Sequence, residues 1–268
     1  MRGGIGSIPA AQGHAAEGGL ILTEWTQQPA LTLPDRARLA LTFDPARLQA
    51  DLAAIEATTW TDHFVRQNYE GQWDVLPLRH QAGATHPIMQ AYVPPEVTEF
   101  VDAEILDRTP YFREVMAAFK CPLTAVRLMR LTPGSRIKEH HDHDLAADWG
   151  QARLHIPITT NPGVTFLLNR VPVPMAPGEA WYVRLSDPHA VTNDGDTDRV
   201  HLVIDCVAND WLTLKIRAAA ACQRSRRVEG ASIREGAADC ESNETGTSLC
   251  EPATPASCRA DSPDIWEP

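Results

Sequence analysis

Residues 123–144, LTAVRLMRLTPGSRIKEHHDHD, decide the reading of this chain. The first nine, Leu123–Leu131, send side chains to alternate faces and read as a strand. Thr132-Pro133-Gly134-Ser135 then breaks the run with turn chemistry. Beyond the turn the chain resumes toward His140-His141-Asp142. In extended backbone, positions two apart share a side, so His140 and Asp142 can meet one ion while His141 points away.

The same punctuation recurs outward from this segment. Residues 151–160 read as a strand ended by Asn161-Pro162-Gly163, followed by a run over Val164–Leu168. A turn at Ala176-Pro177-Gly178 precedes a strand over 180–185. Another strand begins near Ala190, and Asp194-Gly195-Asp196 separates it from the long run Arg199–Val207. Short strands divided by turn signals predict a mainly β fold, a sandwich or barrel with flanking helices.

Asp44-Pro45 is a helix start, a capping carboxylate before proline at the first helical position, with Leu48, Leu52 and Ile55 on one face. Thr109-Pro110 repeats the device ahead of the stripe Phe112, Val115, Met116 and Phe119. A last helix is expected between Asp210 and Ala221, and an initial strand near 30–33. Residues 1–20, rich in Gly and Ala, are expected to be disordered, and one domain to span 39–221. The polar segment 222–268 has too few apolar residues to offset the entropy of ordering and reads as a flexible tail.

A hydrophobic content of 43% over 268 residues suffices for a normal core. The formal net charge of -11 argues against a non-specific nucleic-acid binder. No run is long and apolar enough to span a bilayer, and the N-terminus lacks a signal-peptide pattern, so a cytoplasmic protein is expected. Cys121 and Cys206 lie in the strand-rich part. Cys222, Cys240, Cys250 and Cys258 are widely spaced without associated histidines and read as incidental thiols.

His189, after Pro188 at a strand entrance, supplies a second imidazole, and Arg199 follows on the next strand. Two imidazoles and one carboxylate can fill one face of a non-haem iron(II) and leave positions for oxygen and a co-substrate. A chelating 2-oxoacid needs a cation for its remote carboxylate, and arginine offers a planar donor fork. His141 and His143 form a rival same-face pair, but His140 and Asp142 supply the carboxylate that an iron triad requires.

The segments RLMRLTPGSRIKEHHDHD, QARLHIPITTN, GEAWYVRLSDPHAV and DRVHLVIDC, in this order, resemble the aspartyl/asparaginyl β-hydroxylase family of iron(II)- and 2-oxoglutarate-dependent oxygenases. The resemblance implies a double-stranded β-helix, the jelly roll or cupin-like fold. It implies His140, Asp142 and His189 as iron ligands and Arg199 as the grip on the remote carboxylate of 2-oxoglutarate. It also implies that Arg153 and His155 line the co-substrate or substrate pocket, with His201 beside them. The activity implied is a dioxygenase reaction that consumes O2 and hydroxylates an unactivated C–H bond, releasing succinate and carbon dioxide. Vertebrate protein-modifying members carry glycine where this chain has Asp142, and serine where it has Met129. The chain therefore resembles the bacterial small-molecule hydroxylases more closely.

The substrate reads as an amino acid or amino-acid derivative, free or on a peptide or carrier. Arg127, Arg130 and Arg184 are candidates for a carboxylate and Asp144 for an amine, although alternation puts Arg127 and Arg130 on opposite faces. Trp73 and Trp181 are candidate pocket walls, and GQWDVLPLR at 71–79 resembles an upstream family strand. Three other readings remain: a peptide or protein hydroxylase, a non-catalytic cupin-like binding protein, and a zinc hydrolase, in which Arg199 has no chemical task.

Overall fold

The alternating segment becomes a central strand of a large sheet. The computed structural model describes residues 30–55, 58–91 and 97–223. Its strands are β1 (Arg36–Thr42), β2 (Thr61–Asp62), β3 (Tyr69–Glu70), β4 (Trp73–Gln81), β5 (Phe100–Asp102), β6 (Leu123–Leu131) and β7 (Arg136–His140). They continue as β8 (Gln151–Thr159), β9 (Val164–Leu168), β10 (Val171–Pro172), β11 (Glu179–Val183), β12 (His189–Asn193) and β13 (Arg199–Val207). Helices α1 (Pro45–Ala54), α2 (Pro87–Ala91) and α3 (Pro110–Ala117) come early, and α4 covers 210–223.

One sheet runs β1-β11-β8-β13-β6-β4-β2, with β5 beside β4, and a second runs β10-β9-β12-β7-β3. A buried cluster containing Trp73, Met129, Leu131, Phe166, Val183 and Val191 joins the two sheets. This is the double-stranded β-helix. On the other face of the large sheet, Leu128, Leu154, Ile156, Leu202 and Ile204 pack with Leu48 of α1, Phe112 and Val115 of α3, and Leu212 and Ile216 of α4. The period of two in β6, β8 and β13 therefore sends one set of side chains to the helices and the other between the sheets.

The turn after β6 takes its form from Pro133 and Gly134. Gly134 has φ 73, and the Ser135 N–H donates to the Thr132 carbonyl at 3.2 Å, as a type II turn requires. Asp44 caps α1 as its sequence predicts, accepting from the Ala46 N–H at 2.8 Å. Thr109 does not repeat the device. Its hydroxyl donates back to the Ile105 carbonyl, and the Phe112 N–H of α3 is satisfied by Asp51 of α1 at 2.8 Å. The cap is borrowed from a packed helix, which local sequence does not encode.

Other expectations shift. No strand forms at 30–33; the first is β1, in which Ala37 and Leu39 turn inward, and the Thr32 and Leu33 N–H groups donate instead to Asp148. The sheet thus begins upstream of residue 39, and α4 runs through Cys222 to residue 223. Residues 1–20, the tail beyond 223, and Cys240, Cys250 and Cys258 lie outside the described residues. Among the described residues, no helix is long and apolar enough to cross a membrane.

Candidate metal centre and its two cavities

β7 ends at His140 and β12 begins at His189, and the antiparallel register sets these two opposite each other, with ring centroids 4.2 Å apart. Two residues past His140, the Asp142 N–H is tied to the Leu185 carbonyl at 2.8 Å. Ligand atoms of His140, Asp142 and His189 all lie within 4.8 Å of one another. His140 Nδ1 meets the Lys138 carbonyl at 2.8 Å and His189 Nδ1 meets the Asp187 carbonyl at 3.0 Å. A carbonyl can only accept, so both Nδ1 atoms carry protons and both Nε2 lone pairs are left for a metal. Burial pushes the His189 imidazole down to about 4, which keeps it neutral.

Asp142 is held in a similar way. Its Oδ2 accepts from Arg153 Nη1 at 2.6 Å, while Oδ1 lies 3.7 Å from His140 Nε2. Burial works against its ionisation, but Arg153 and the two imidazoles together hold the carboxyl below the usual range. His141 and His143 are exposed and stack edge-on against each other, and neither joins the three.

Behind the triad a small recess is lined by Met129, Arg153, His155, Phe166 and Arg199 among others. Arg199 is 2% exposed. One Nη2–H donates to His201 Nδ1 at 2.9 Å, while Nε has no partner. No carboxylate among the described residues balances it, and burial alone pushes its guanidinium down to about 9. His155 Nε2 is also buried without a partner. A cationic, hydrogen-bond-deficient end to a recess beside three metal-type ligands suits an anionic group.

In front, a cavity of about 480 Å3 shares Trp73, Met129, His140, Asp142 and Arg153 with the recess. His63, Phe64 and Phe100 form part of its apolar side, and Arg127, Asp205 and Asp144 are on its polar side. His63 lies flat on Trp73, with centroids 3.6 Å apart and planes at 8°. Arg127 is 5% exposed, with Nη2 on Asp205 at 2.6 Å and Nε unpartnered.

The other candidates lie elsewhere. Trp181 packs between the sheets, its indole N–H on Glu179 at 2.9 Å, and lines neither cavity. Arg130 is on the opposite face, bonded to Asp74 and stacked on Trp60; Arg184 is paired with Asp187. Sequence reasoning missed His63 and Asp205. Asp205 had a signal, because Arg199, His201, Val203 and Asp205 alternate along one face of β13. His63 had little, since it lies outside regular structure, just after the two-residue strand β2.

His63 carries a pH prediction. Burial holds its imidazole at about 3, whereas the unfolded chain titrates near 6.5. Below that value the unfolded state binds a proton that the folded state refuses, so stability falls as pH drops from roughly 6.5 toward 3. Metal-free wild type is expected to lose thermal stability over pH 7 to 4 more steeply than His63→Phe. Parallel profiles in a thermal-unfolding series would refute it.

Fold and site together set a two-histidine, one-carboxylate triad, a donor set that can hold a divalent metal, at one end of a double-stranded β-helix. Residues 44–209 match the Aspartyl/Asparaginyl beta-hydroxylase family, and the chain belongs to it. It is 27% identical over 167 residues to the L-proline cis-4-hydroxylase of Rhizobium meliloti (strain 1021), covering 61% of this chain and 57% of that relative. The chain thus spans little more than half the length of that curated relative. Looser likenesses link it to two solved structures. A Pseudomonas putida prolyl-4-hydroxylase matches at 13% identity and TM-score 0.40, covering 66% of this chain and 94% of that one. The viral collagen prolyl hydroxylase of Paramecium Bursaria Chlorella virus-1 matches at 12% identity and TM-score 0.39, covering 65% and 97%.

Proposed function

We propose that this dioxygenase hydroxylates an unactivated C–H bond of a small amino acid, imino acid or close derivative. The observation that carries the reading is Arg127, a buried guanidinium with an unpartnered Nε on a cavity that opens onto the triad and has an aromatic wall opposite in character. A substrate carboxylate suits Arg127, and an apolar ring or chain suits the Trp73–His63 surface. Asp144, on the same cavity, suits an amine. Similarity to an L-proline hydroxylase supports a substrate of this size and class.

The residues divide the work. His140, Asp142 and His189 would hold iron(II), their donor atoms already freed for it by the carbonyls and by Arg153. Arg199 would grip the far carboxylate of 2-oxoglutarate, with Arg153 and His155 completing that recess. When bound, the metal supplies the oxidative chemistry with 2-oxoglutarate and O2, one oxygen atom going to the substrate and the other to succinate, with carbon dioxide released. The apolar wall excludes water and orients the C–H bond.

The test begins with anaerobic optical titration of metal-free protein with iron(II) and 2-oxoglutarate, where a visible charge-transfer band is expected. Succinate release is then followed with L-proline, other free amino and imino acids, and peptides. Release stimulated by a free amino or imino acid supports the proposal. Stimulation by peptides alone would replace it with a peptide hydroxylase.

A further inference from the structure

Four charged side chains connect the front cavity to the metal centre. Arg127 Nη2 donates to Asp205 Oδ2 at 2.6 Å. Arg153 donates to the same carboxylate twice, Nε to Oδ1 at 2.6 Å and Nη2 to Oδ2 at 3.0 Å. Its remaining arm, Nη1, reaches Asp142 Oδ2 at 2.6 Å. The chain is built by register: Asp205 on β13 is paired with Arg153 on β8, and Val203, next on the same face, is paired with Arg127 on β6. All four groups lie against the cavity, and the side chains of Arg127, Asp205 and Arg153 are 6%, 13% and 14% exposed. Water therefore screens their interactions poorly.

Asp205 Oδ2 is a shared acceptor, and that gives the arrangement its consequence. An anion drawn to Arg127 competes with Asp205 for that guanidinium. Asp205 then belongs more fully to Arg153, and Arg153 draws less on Asp142. We propose that Asp205 is a positioning residue that couples occupancy of Arg127 to the metal ligand Asp142 through Arg153. The proposal rests on the reading of His140, Asp142 and His189 as the metal site. By linkage, metal binding alters affinity at Arg127 by the same factor as the reverse. A substrate carboxylate would thereby tune the metal centre before any C–H bond is reached.

The test needs neither substrate nor turnover. Mn2+ binding to the metal-free full chain is measured by calorimetry for wild type, Asp205→Asn, Arg127→Gln and the double variant, with circular dichroism as the check of folding. Asp205→Asn leaves Arg153 to Asp142 alone and is expected to weaken Mn2+ binding about tenfold or more, the range for outer partners of metal ligands. Arg127→Gln frees Asp205 for Arg153 and is expected to tighten Mn2+ binding. That gain should vanish in the Asp205→Asn background. A gain that persists there would mean the charge acts through space, which overturns the coupling, as would wild-type affinity in folded Asp205→Asn. Should Asp205→Asn fail to fold, Asp205→Glu takes its place in the same comparison, since it keeps the charge but not the shared oxygen. Asp142→Ala separates the two levels: binding as tight as wild type would sink the metal reading itself.

Discussion

Arg199→Met is expected to weaken 2-oxoglutarate binding by roughly a hundredfold, the scale of losing one partner of a buried charge pair, while leaving the protein at least as stable. The two halves of this result have one cause. Arg199 is enclosed with His201 as its side-chain partner, and burial lowers its pKa to about 9. Such a charge costs folding free energy, and an apolar side chain of similar length removes the cost. A dicarboxylate in the recess reverses the balance by supplying the missing anion. Wild type should therefore melt at higher temperature when 2-oxoglutarate is added with metal, and Arg199→Met should respond far less. The charge-transfer titration gives the affinity directly. An unchanged 2-oxoglutarate requirement would reject the clamp.

Asp142→Ala is expected to abolish substrate-coupled succinate formation with the fold intact. The side chain is 30% exposed and its backbone N–H bond to Leu185 does not depend on it. The substitution removes the single carboxylate of the triad, and a site with two imidazoles alone binds a divalent cation less well. Arg153 keeps both bonds to Asp205, so no guanidinium is stranded. Near-wild-type circular dichroism, weak metal binding and no coupled turnover are the expected set. Normal activity in the folded variant would sink the triad assignment.

The parts of the site legible in the sequence are those set by strand periodicity. His140 with Asp142, and Arg199 with His201, are pairs two apart, and extended backbone sends such pairs to one side. The same rule pointed at Asp205, but an acidic residue late in an apolar run carries no chemistry until its arginine neighbours on β6 and β8 are known. Register between strands, which sets His140 opposite His189 and Asp205 opposite Arg153, is not a local property of sequence. Trp181 shows the opposite limit. As a large aromatic it is a candidate pocket wall in the sequence, but nothing local says that its position belongs to the packed part between the sheets. The first strand was misplaced because the apolar residues at 30–33 outweighed the alternation Ala37, Leu39 and Leu41, which the sheet uses.

The two faces of β13 have a consequence for how this chain can vary. Val200, Leu202, Ile204 and Cys206 belong to the helix-side core, whereas Arg199 lines the recess with His201 bonded to it, and Asp205 lines the front cavity. Point substitutions in this strand thus sort by the parity of their residue number. Even positions bear on whether the protein persists; of the odd ones, Arg199, His201 and Asp205 bear on the site, while Val203 packs in the core between the sheets. A deletion of one residue has no such choice: it exchanges the two sets, burying charges under the helices and lining the recess with valine and leucine. A single substitution in β13 leaves its neighbours on their own faces, whereas any change of length within the strand moves them all.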